Sequence, residues 1–163
     1  MGTIIYKCPT YEMSDMLISA QGGSITQLYF AGGRTTPLGL QASHPTPEEA
    51  EVLTHATREL DMYFAGKLET FTMPVAPQGT PFRQLAWKGL QGIPYGQAIS
   101  YKELAARIGN PKAIRAVGGA NNKNPISIII PCHRVVGANG SLVGYGGGLD
   151  VKEILLRHEG VLL

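Results

Sequence analysis

A short apolar run stops at a proline and hands over to a thiol. Residues Ser127, Ile128, Ile129 and Ile130 run into Pro131, and Cys132, His133 and Arg134 follow without a gap. Proline cannot donate to a strand ladder, so the pattern reads as a buried strand that ends abruptly. Any fold of this chain has to bury that run and leave the next three residues at the end of a rigid element, where chemistry is often placed. Cysteine attacks as the thiolate, and basic or cationic neighbours favour that form. Taken alone, Cys132 would read as a small buried hydrophobe, as most cysteines do. The surrounding segments have to separate the two readings.

At 163 residues the chain fits one domain, or two small lobes sharing one core. A hydrophobic share of 44% with 16% charged residues suits a folded soluble protein. No apolar run approaches the ~20 residues of a membrane span, and the start lacks a signal-peptide pattern. Met1-Gly2 begins like a myristoylation site, but Tyr6 stands where Ser or Thr is wanted. Two cysteines, Cys8 and Cys132, are too few for a disulfide framework or a cysteine zinc site, so a free thiol in a reducing compartment is expected. The net charge of +2 is unevenly spread. Residues 1–79 carry four basic and eight acidic groups, a net of −4; residues 80–163 carry ten basic and four acidic groups, a net of +6. A basic second half points to a polyanion, most often nucleic acid.

In chain order, residues 2–8, 16–20 and 25–31 read as strands, the last two joined as a hairpin through Gln21-Gly22-Gly23-Ser24. Thr46-Pro47-Glu48-Glu49 is a capping box with Pro at the first helical position. Its helix runs to about Ala65, ends at Gly66, and places Leu53, Ala56, Leu60 and Phe64 on one face and its acidic residues in solvent. His44 and His55 stand alone and read as loop or surface groups. Residues 71–79, with Pro74, Pro77 and Gly79, form a linker at the point where the charge changes sign. The expected division is therefore a 1–76 lobe and a 77–163 lobe.

Thr80-Pro81 opens a helix to about Gln91, with Phe82, Leu85, Ala86 and Leu90 inward, and Pro94-Tyr95-Gly96-Gln97 is a turn. Ser100-Tyr101-Lys102-Glu103 is a second capping box whose helix ends at Gly109. Asn110-Pro111 is expected to cap another helix to about Ala120, carrying Lys112 and Arg115. Two short helices joined by a Gly-Asn-Pro turn have helix-turn-helix spacing, and small residues (Ala116, Gly118, Gly119, Ala120) leave the second one open to close approach. Asn139-Gly140 between Val135-Val136 and Leu142-Val143 signals a tight hairpin. Gly144-Tyr145-Gly146-Gly147-Gly148 is too glycine-rich for regular structure and suits a loop over a ligand. A last helix spans about 150–160. It places Glu159 at its C-terminus, where the dipole disfavours a carboxylate; a nearby positive or donor group is expected, with His133, Arg157 and His158 the candidates.

From Thr80 to Gly160 the chain resembles the O6-alkylguanine-DNA alkyltransferases, or methylated-DNA–protein-cysteine methyltransferases. The resemblance is carried by Ile130-Pro131-Cys132-His133-Arg134-Val135, by Asn124-Pro125 eight residues before the cysteine, and by Arg115-Ala116-Val117-Gly118-Gly119-Ala120. It continues in Ser100-Tyr101-Lys102-Glu103-Leu104-Ala105, in Tyr145 with Gly147-Gly148, and in Leu155-Leu156-Arg157-His158-Glu159-Gly160. It implies an α+β protein: a small antiparallel sheet with a helix, ribonuclease H-like, followed by a helical winged helix-turn-helix-like lobe that carries the active site.

The resemblance also implies roles. Cys132 would accept the alkyl group from O6 of a flipped-out guanine, with O4-alkylthymine a second possible substrate. His133 would be the base through a water, Glu159 would orient it, and Asn124 would hold the loop. Tyr101 would donate a proton to the leaving guanine. Arg115 would fill the gap in the base stack, while Tyr145, Gly146 and Gly147 would wall the pocket. Lys102, Asn110 and Val135 complete the set assigned to DNA or base. The partner would be double-stranded DNA approached from the minor groove, with no obligate protein partner, acting as a monomer in the cytoplasm, nucleoid or nucleus. Transfer to sulfur gives a thioether that nothing in the sequence could reverse, so each chain would act once, without cofactor or metal. Two departures stand out: Ser127 where many relatives carry proline, and Gly146 where many carry serine. The smaller Gly146 leads us to expect a wider pocket tolerant of alkyl groups larger than methyl. Other classes fit parts of the sequence: a thiol hydrolase using Cys132, His133 and Glu159, a non-catalytic lesion-binding protein, or a transcription regulator built on the helix-turn-helix.

Overall fold

A computed structural model describes residues 1–10 and 12–161; the last two residues of the expected 77–163 lobe lie outside the described residues. Three strands, β1 (Gly2–Tyr6), β2 (Met16–Gln21) and β3 (Ser24–Phe30), form an antiparallel meander in that order. The turn between β2 and β3 uses Gly22 at φ 59°, a conformation glycine adopts without the Cβ penalty. Alternation along β2 and β3 buries Met16, Ile18, Ala20, Ile25, Leu28 and Phe30. Helix α1 (Pro47–Phe64) covers that face. Thr46 and Glu49 exchange both capping-box bonds, and Gly66 follows the helix at φ 74°. Its buried stripe is Val52, Leu53, Ala56, Leu60 and Tyr63; Tyr63 goes inward where Phe64 was expected, and Phe64 is only half-buried. The acidic face is not wholly solvated either. Glu59 is buried and accepts from the backbone N–H and hydroxyl of Thr72, both at 2.8 Å.

The free edge of β3 is what joins the two halves. Residues 71–79 do not hang as a loose linker. Val75 bridges Ile25 in parallel, through Ile25 N–H to Pro74 C=O (2.9 Å) and Ala76 N–H to Ile25 C=O (2.8 Å). Three residues further on, Leu28 bridges Ile126, through Leu28 N–H to Pro125 C=O (2.8 Å) and Ser127 N–H to Leu28 C=O (3.0 Å). One buried cluster runs from β2 and α1 through Met73 into Trp87, Leu90, Ile126, Ile130 and Leu155.

The second half is helical: α2 (Pro81–Gln91), α3 (Tyr101–Arg107), α4 (Ile114–Asn122) and α5 (Leu149–His158), with a two-residue parallel pair of β4 (Ile99–Ser100) and β5 (Val135–Val136). Ala86, Trp87 and Leu90 form the inward face of α2, whereas Leu85 is 46% exposed, against expectation. Trp87 is the better anchor because its ring is fully buried and its indole N–H reaches Ala120 C=O at 2.8 Å. Ser100 caps α3 by accepting from Glu103 N–H; no return bond from the Glu103 side chain is seen, and that carboxylate pairs with Arg107 instead.

Three expectations fail here for local reasons. α4 starts at Ile114 rather than Pro111, because Asn110 to Ala113 is spent on a turn closed by Ala113 N–H to Asn110 C=O; Lys112 lies in that turn and α4 has no side-chain cap. Asn139-Gly140 does form a turn, but β5 pairs with β4, so only Gly137 N–H to Ser141 C=O links the two arms and no hairpin ladder forms. The run 127–130, expected as a buried strand, is not one. After the single bridge at Ile126 it turns, with Ile128 at φ 68°, the only non-glycine positive φ among the described residues. A β-branched residue is costly in that region, and such strain persists only where surroundings impose it. None of the helices among the described residues is long and apolar enough to cross a membrane.

Candidate active site

The strained turn delivers Cys132 and His133 into the core as a single 3₁₀ turn, Cys132–Arg134. Asn124 fixes the approach from both sides. Its Nδ2 donates to Ile130 C=O at 2.7 Å and its Oδ1 accepts from Ile126 N–H at 3.0 Å. Pro131 follows, and Cys132 N–H closes back on Ile130 C=O at 2.8 Å. Cys132 is 4% exposed, His133 is fully buried and Glu159 is 4% exposed.

Four hydrogen bonds converge on Glu159. Its Oε2 accepts from His133 Nε2 (2.7 Å), Tyr63 Oη (2.7 Å) and Arg134 Nη2 (3.0 Å), and its Oε1 accepts from Arg134 Nε (2.8 Å). Arg134 spends its remaining fork on Ile93 C=O at 2.7 Å. Burial pushes the Glu159 carboxyl upward, but the bonds from His133 and Arg134 outweigh it and hold the group well below the ordinary carboxylate range. An ionised carboxylate only accepts, so His133 Nε2 carries the hydrogen and Nδ1 is the lone-pair nitrogen of the neutral ring. That Nδ1 has no hydrogen-bond partner among the described residues. Burial lowers the His133 pKa, against the pull of Glu159, which keeps the ring neutral. Burial also pushes the Cys132 thiol up to about 11, partly offset by the Asn124 amide and the Lys152 ammonium.

Of the expected partners of Glu159, His133 is correct. Arg157 instead pairs with Glu153 at 2.7 Å, and His158 Nε2 bonds Tyr63 C=O at 2.7 Å. Two further partners are Arg134, next to the thiol in sequence, and Tyr63, from the other half of the chain. Tyr63 stands at helical spacing from Ala56 and Leu60, so the inward stripe of α1 already pointed to it. Lys152 was missed as well. It is fully buried, donates to Val143 C=O at 2.8 Å and Gly144 C=O at 3.4 Å, and lies 5.9 Å from the centre of the Tyr101 ring. Burial pushes it down to about 8. A lysine three residues before Leu155, on the apolar face of α5, was the available signal. Asn121 also belongs here. It is buried, its Nδ2 reaches Cys132 C=O at 3.4 Å, and its Oδ1 has no partner.

The remaining expected residues fall into two groups. Tyr101, at the start of α3, donates its hydroxyl to Val143 C=O at 3.0 Å; its pKa is raised by burial first and by Cys132 second. Tyr145 is 7% exposed with its hydroxyl unpartnered, and burial raises its pKa well above the ordinary value. These two sit with Cys132. Arg115, Lys102 and Asn110 are exposed on the helix-turn-helix. The side chain of Val135 is fully buried and its backbone pairs with Ile99. Gly146 does not leave the free space expected of it. A Cβ there would collide with Thr35, and Gly146 C=O accepts from Arg34 N–H at 3.0 Å. At Gly147 a Cβ would come within 2.6 Å of the Phe30 ring. The glycine loop is thus pressed onto the first half of the chain.

A buried cysteine and a His–Glu pair, set beside a helix-turn-helix that presents exposed basic residues, define a thiol-acceptor protein with a nucleic-acid-facing surface. Residues 6–77 match the family model described as the 6-O-methylguanine DNA methyltransferase ribonuclease-like domain, and residues 81–161 match the DNA-binding domain of the same description. The methylated-DNA–protein-cysteine methyltransferase of Haemophilus influenzae is 44% identical over 160 residues, covering 98% of this chain and 88% of its own. The protein of that name from Methanosarcina acetivorans is 57% identical over 113 residues, 69% of this chain and 72% of its own. Among solved structures, Mycobacterium tuberculosis OGT in complex with DNA superposes with a TM-score of 0.81 at 38% identity, covering 98% of this chain and 92% of that one. This chain belongs to the methylated-DNA–protein-cysteine methyltransferase family.

Proposed function

We propose that the protein repairs O6-alkylguanine in DNA by moving the alkyl group, once and irreversibly, onto Cys132 Sγ. The observation that carries this reading is the unpartnered Nδ1 of a buried, neutral His133 whose other nitrogen is locked to ionised Glu159, next to a buried thiol. The thiol proton passes to Nδ1 through a water. The thiolate attacks the alkyl carbon, the S–C bond forms, the C–O6 bond breaks, and its electron pair stays on guanine. Tyr101 supplies a proton to the ring, and the imidazolium is stabilised by Glu159. The product is a thioether, which has no hydrolysable bond. O4-alkylthymine would enter the same chemistry.

Inside a duplex the O6 atom is out of reach of a buried cysteine, so the base is flipped, at a cost of a few kcal/mol that is smallest for a poorly pairing lesion. Residues 77–163 form the DNA-binding and acceptor lobe in this reading, and residues 1–76 the supporting one. Exposed Arg115 fills the gap in the stack, while Lys102 and Asn110 meet the backbone. The uncapped first turn of α4 offers amide donors to a phosphate. Gly119 supports an approach from the minor groove, because a Cβ there would meet nothing within 4 Å. The protein works wherever DNA is held, in the cytoplasm and nucleoid or in a nucleus.

The test is intact-protein mass after mixing with a duplex carrying one O6-methylguanine. The expected result is a gain of one methyl per chain and no more, absent in Cys132→Ala. No gain with DNA binding retained would favour a lesion-binding protein, and neither gain nor binding a thiol hydrolase.

A further inference from the structure

We infer, resting on the alkyl-transfer reading above, that Tyr63 of α1 is a positioning residue for the reaction: its hydrogen bond to Glu159 Oε2 limits how strongly that carboxylate draws on His133, and so keeps the imidazole neutral and free to take the Cys132 proton. The first half of the chain would then tune the base as well as support it.

Three observations carry this. Tyr63 Oη lies 2.7 Å from the same oxygen, Oε2, that His133 Nε2 contacts at 2.7 Å. With Arg134 Nη2 at 3.0 Å, three donors meet on that oxygen and share its electron density, so each weakens the others' claim. Second, Tyr63 is held so that it can do nothing else. Its side chain is fully buried, and its ring packs against Phe64, Phe71, Tyr95 and His158 with centroids 5.2, 5.5, 6.1 and 4.8 Å away. Third, its phenol stays a donor at every working pH, because burial and the adjacent Glu159 push its ionisation far above the usual range.

The charged and titratable groups around this point come from every side. Glu159, His158 and Lys152 face it from the α5 segment, Cys132, His133 and Arg134 from the 3₁₀ turn, Tyr95 from the turn after α2, and Tyr145 from the glycine loop. For His133, Glu159 favours the imidazolium, whereas burial, Arg134 and Lys152 oppose it. Removing the Tyr63 donor strengthens only the first of these. His133 should therefore bind a proton more readily in Tyr63→Phe.

The experiment follows the His133 imidazole nitrogens by NMR against pH in the full chain, wild type and Tyr63→Phe, alongside single-turnover methyl transfer over the same range. The His133 midpoint is expected to rise by about half a unit or more, with the acid limb of the rate profile moving up by the same amount. A folded Tyr63→Phe protein whose His133 midpoint stays put overturns the proposal, whatever happens to its stability. Should that variant not fold, fluorotyrosine at position 63 keeps the ring and strengthens the donor. It should move the midpoint down, and an unmoved midpoint again overturns the idea. Failure of the wild type to accept a methyl group would count against the alkyl-transfer reading alone, since the titration is read without substrate.

Discussion

With the Cys132 thiol pushed up to about 11 by burial, the resting nucleophile is protonated at neutral pH and its proton needs an acceptor. Glu159 cannot be that acceptor. Four hydrogen bonds already converge on it, and protonating it would release Arg134 as an unpaired cation in the core. The proton stops at His133. Glu159→Gln should therefore do two things at once. It should lower folding stability by about 3–5 kcal/mol, since it leaves the buried Arg134 without its counter-charge. It should also slow methyl transfer by about 10²–10⁴-fold, the usual contribution of a positioned base. Urea midpoints and rapid-quench transfer kinetics check the two separately. The same groups fix the sign of the acid response. The folded pKa of both Glu159 and His133 lies below the unfolded value. Each contributes stability that is present above its unfolded pKa, about 6.5 for His and 4.3 for Glu, and is lost as pH falls through that value toward the folded one. Urea midpoints should thus decline from about pH 6.5 downward and more steeply below about 4.5. His133→Asn should remove the upper part of that decline, and a wild-type midpoint that is flat down to pH 5 would contradict this account.

The glycine loop before α5 shows why a substitution has to be read with its neighbours. Gly146 reads from sequence as extra room in the pocket, but Thr35 fills the place where its side chain would go. Gly146→Ser should accordingly displace the loop from Thr35, and with it Tyr145 next door. The rate of methyl transfer should fall, and Thr35→Ala, harmless alone, should restore it; additive effects in that double-mutant cycle would show that the two do not touch. What was legible in the sequence follows the same division between near and far. Strands, caps and helix ends came through because they rest on neighbours: the Thr46–Glu49 box, the β2–β3 turn and the serine cap of α3 are all decided within four residues. The pairing of Glu159 with His133 was legible because a carboxylate at a helix C-terminus calls for a donor. The strand expected at 127–130 failed because Leu28, about a hundred residues earlier, captures Ile126 and leaves Ile128 to turn at φ 68°. Tyr63, Lys152 and Thr35 were missed for the same reason. Each acts on a residue at least eight positions away in the chain, where periodicity says which face is buried but not what it meets.

Charge and composition divide the chain near residue 77, yet its packing does not. Val75 and Ile126 both bridge the edge of β3, Tyr63 supplies a donor to Glu159, and the buried cluster passes through Met73 into Trp87 without a break. Two lobes that share a core in this way should melt together, because neither can expose its inner face without exposing the other's. Trp87 makes this measurable. It is the only tryptophan in the sequence, it is 1% exposed, and it lies in the second half against Ala120. Ellipticity reports the whole chain, including the 18-residue helix α1 of the first half. Urea unfolding followed by Trp87 fluorescence and by far-ultraviolet ellipticity should give coincident curves with one midpoint and one slope. The slope, which scales with the surface exposed, should match a unit of about 160 residues rather than half of it. An ellipticity loss that precedes or trails the fluorescence change would mean that the β3 edge and the Tyr63–Glu159 bond are too weak to couple the halves. In that case the proposed control of His133 by α1 would hold only while both halves are folded. Coincident curves would mean instead that any loss of the first half removes the third partner of Glu159 and the nucleophile's turn in one step.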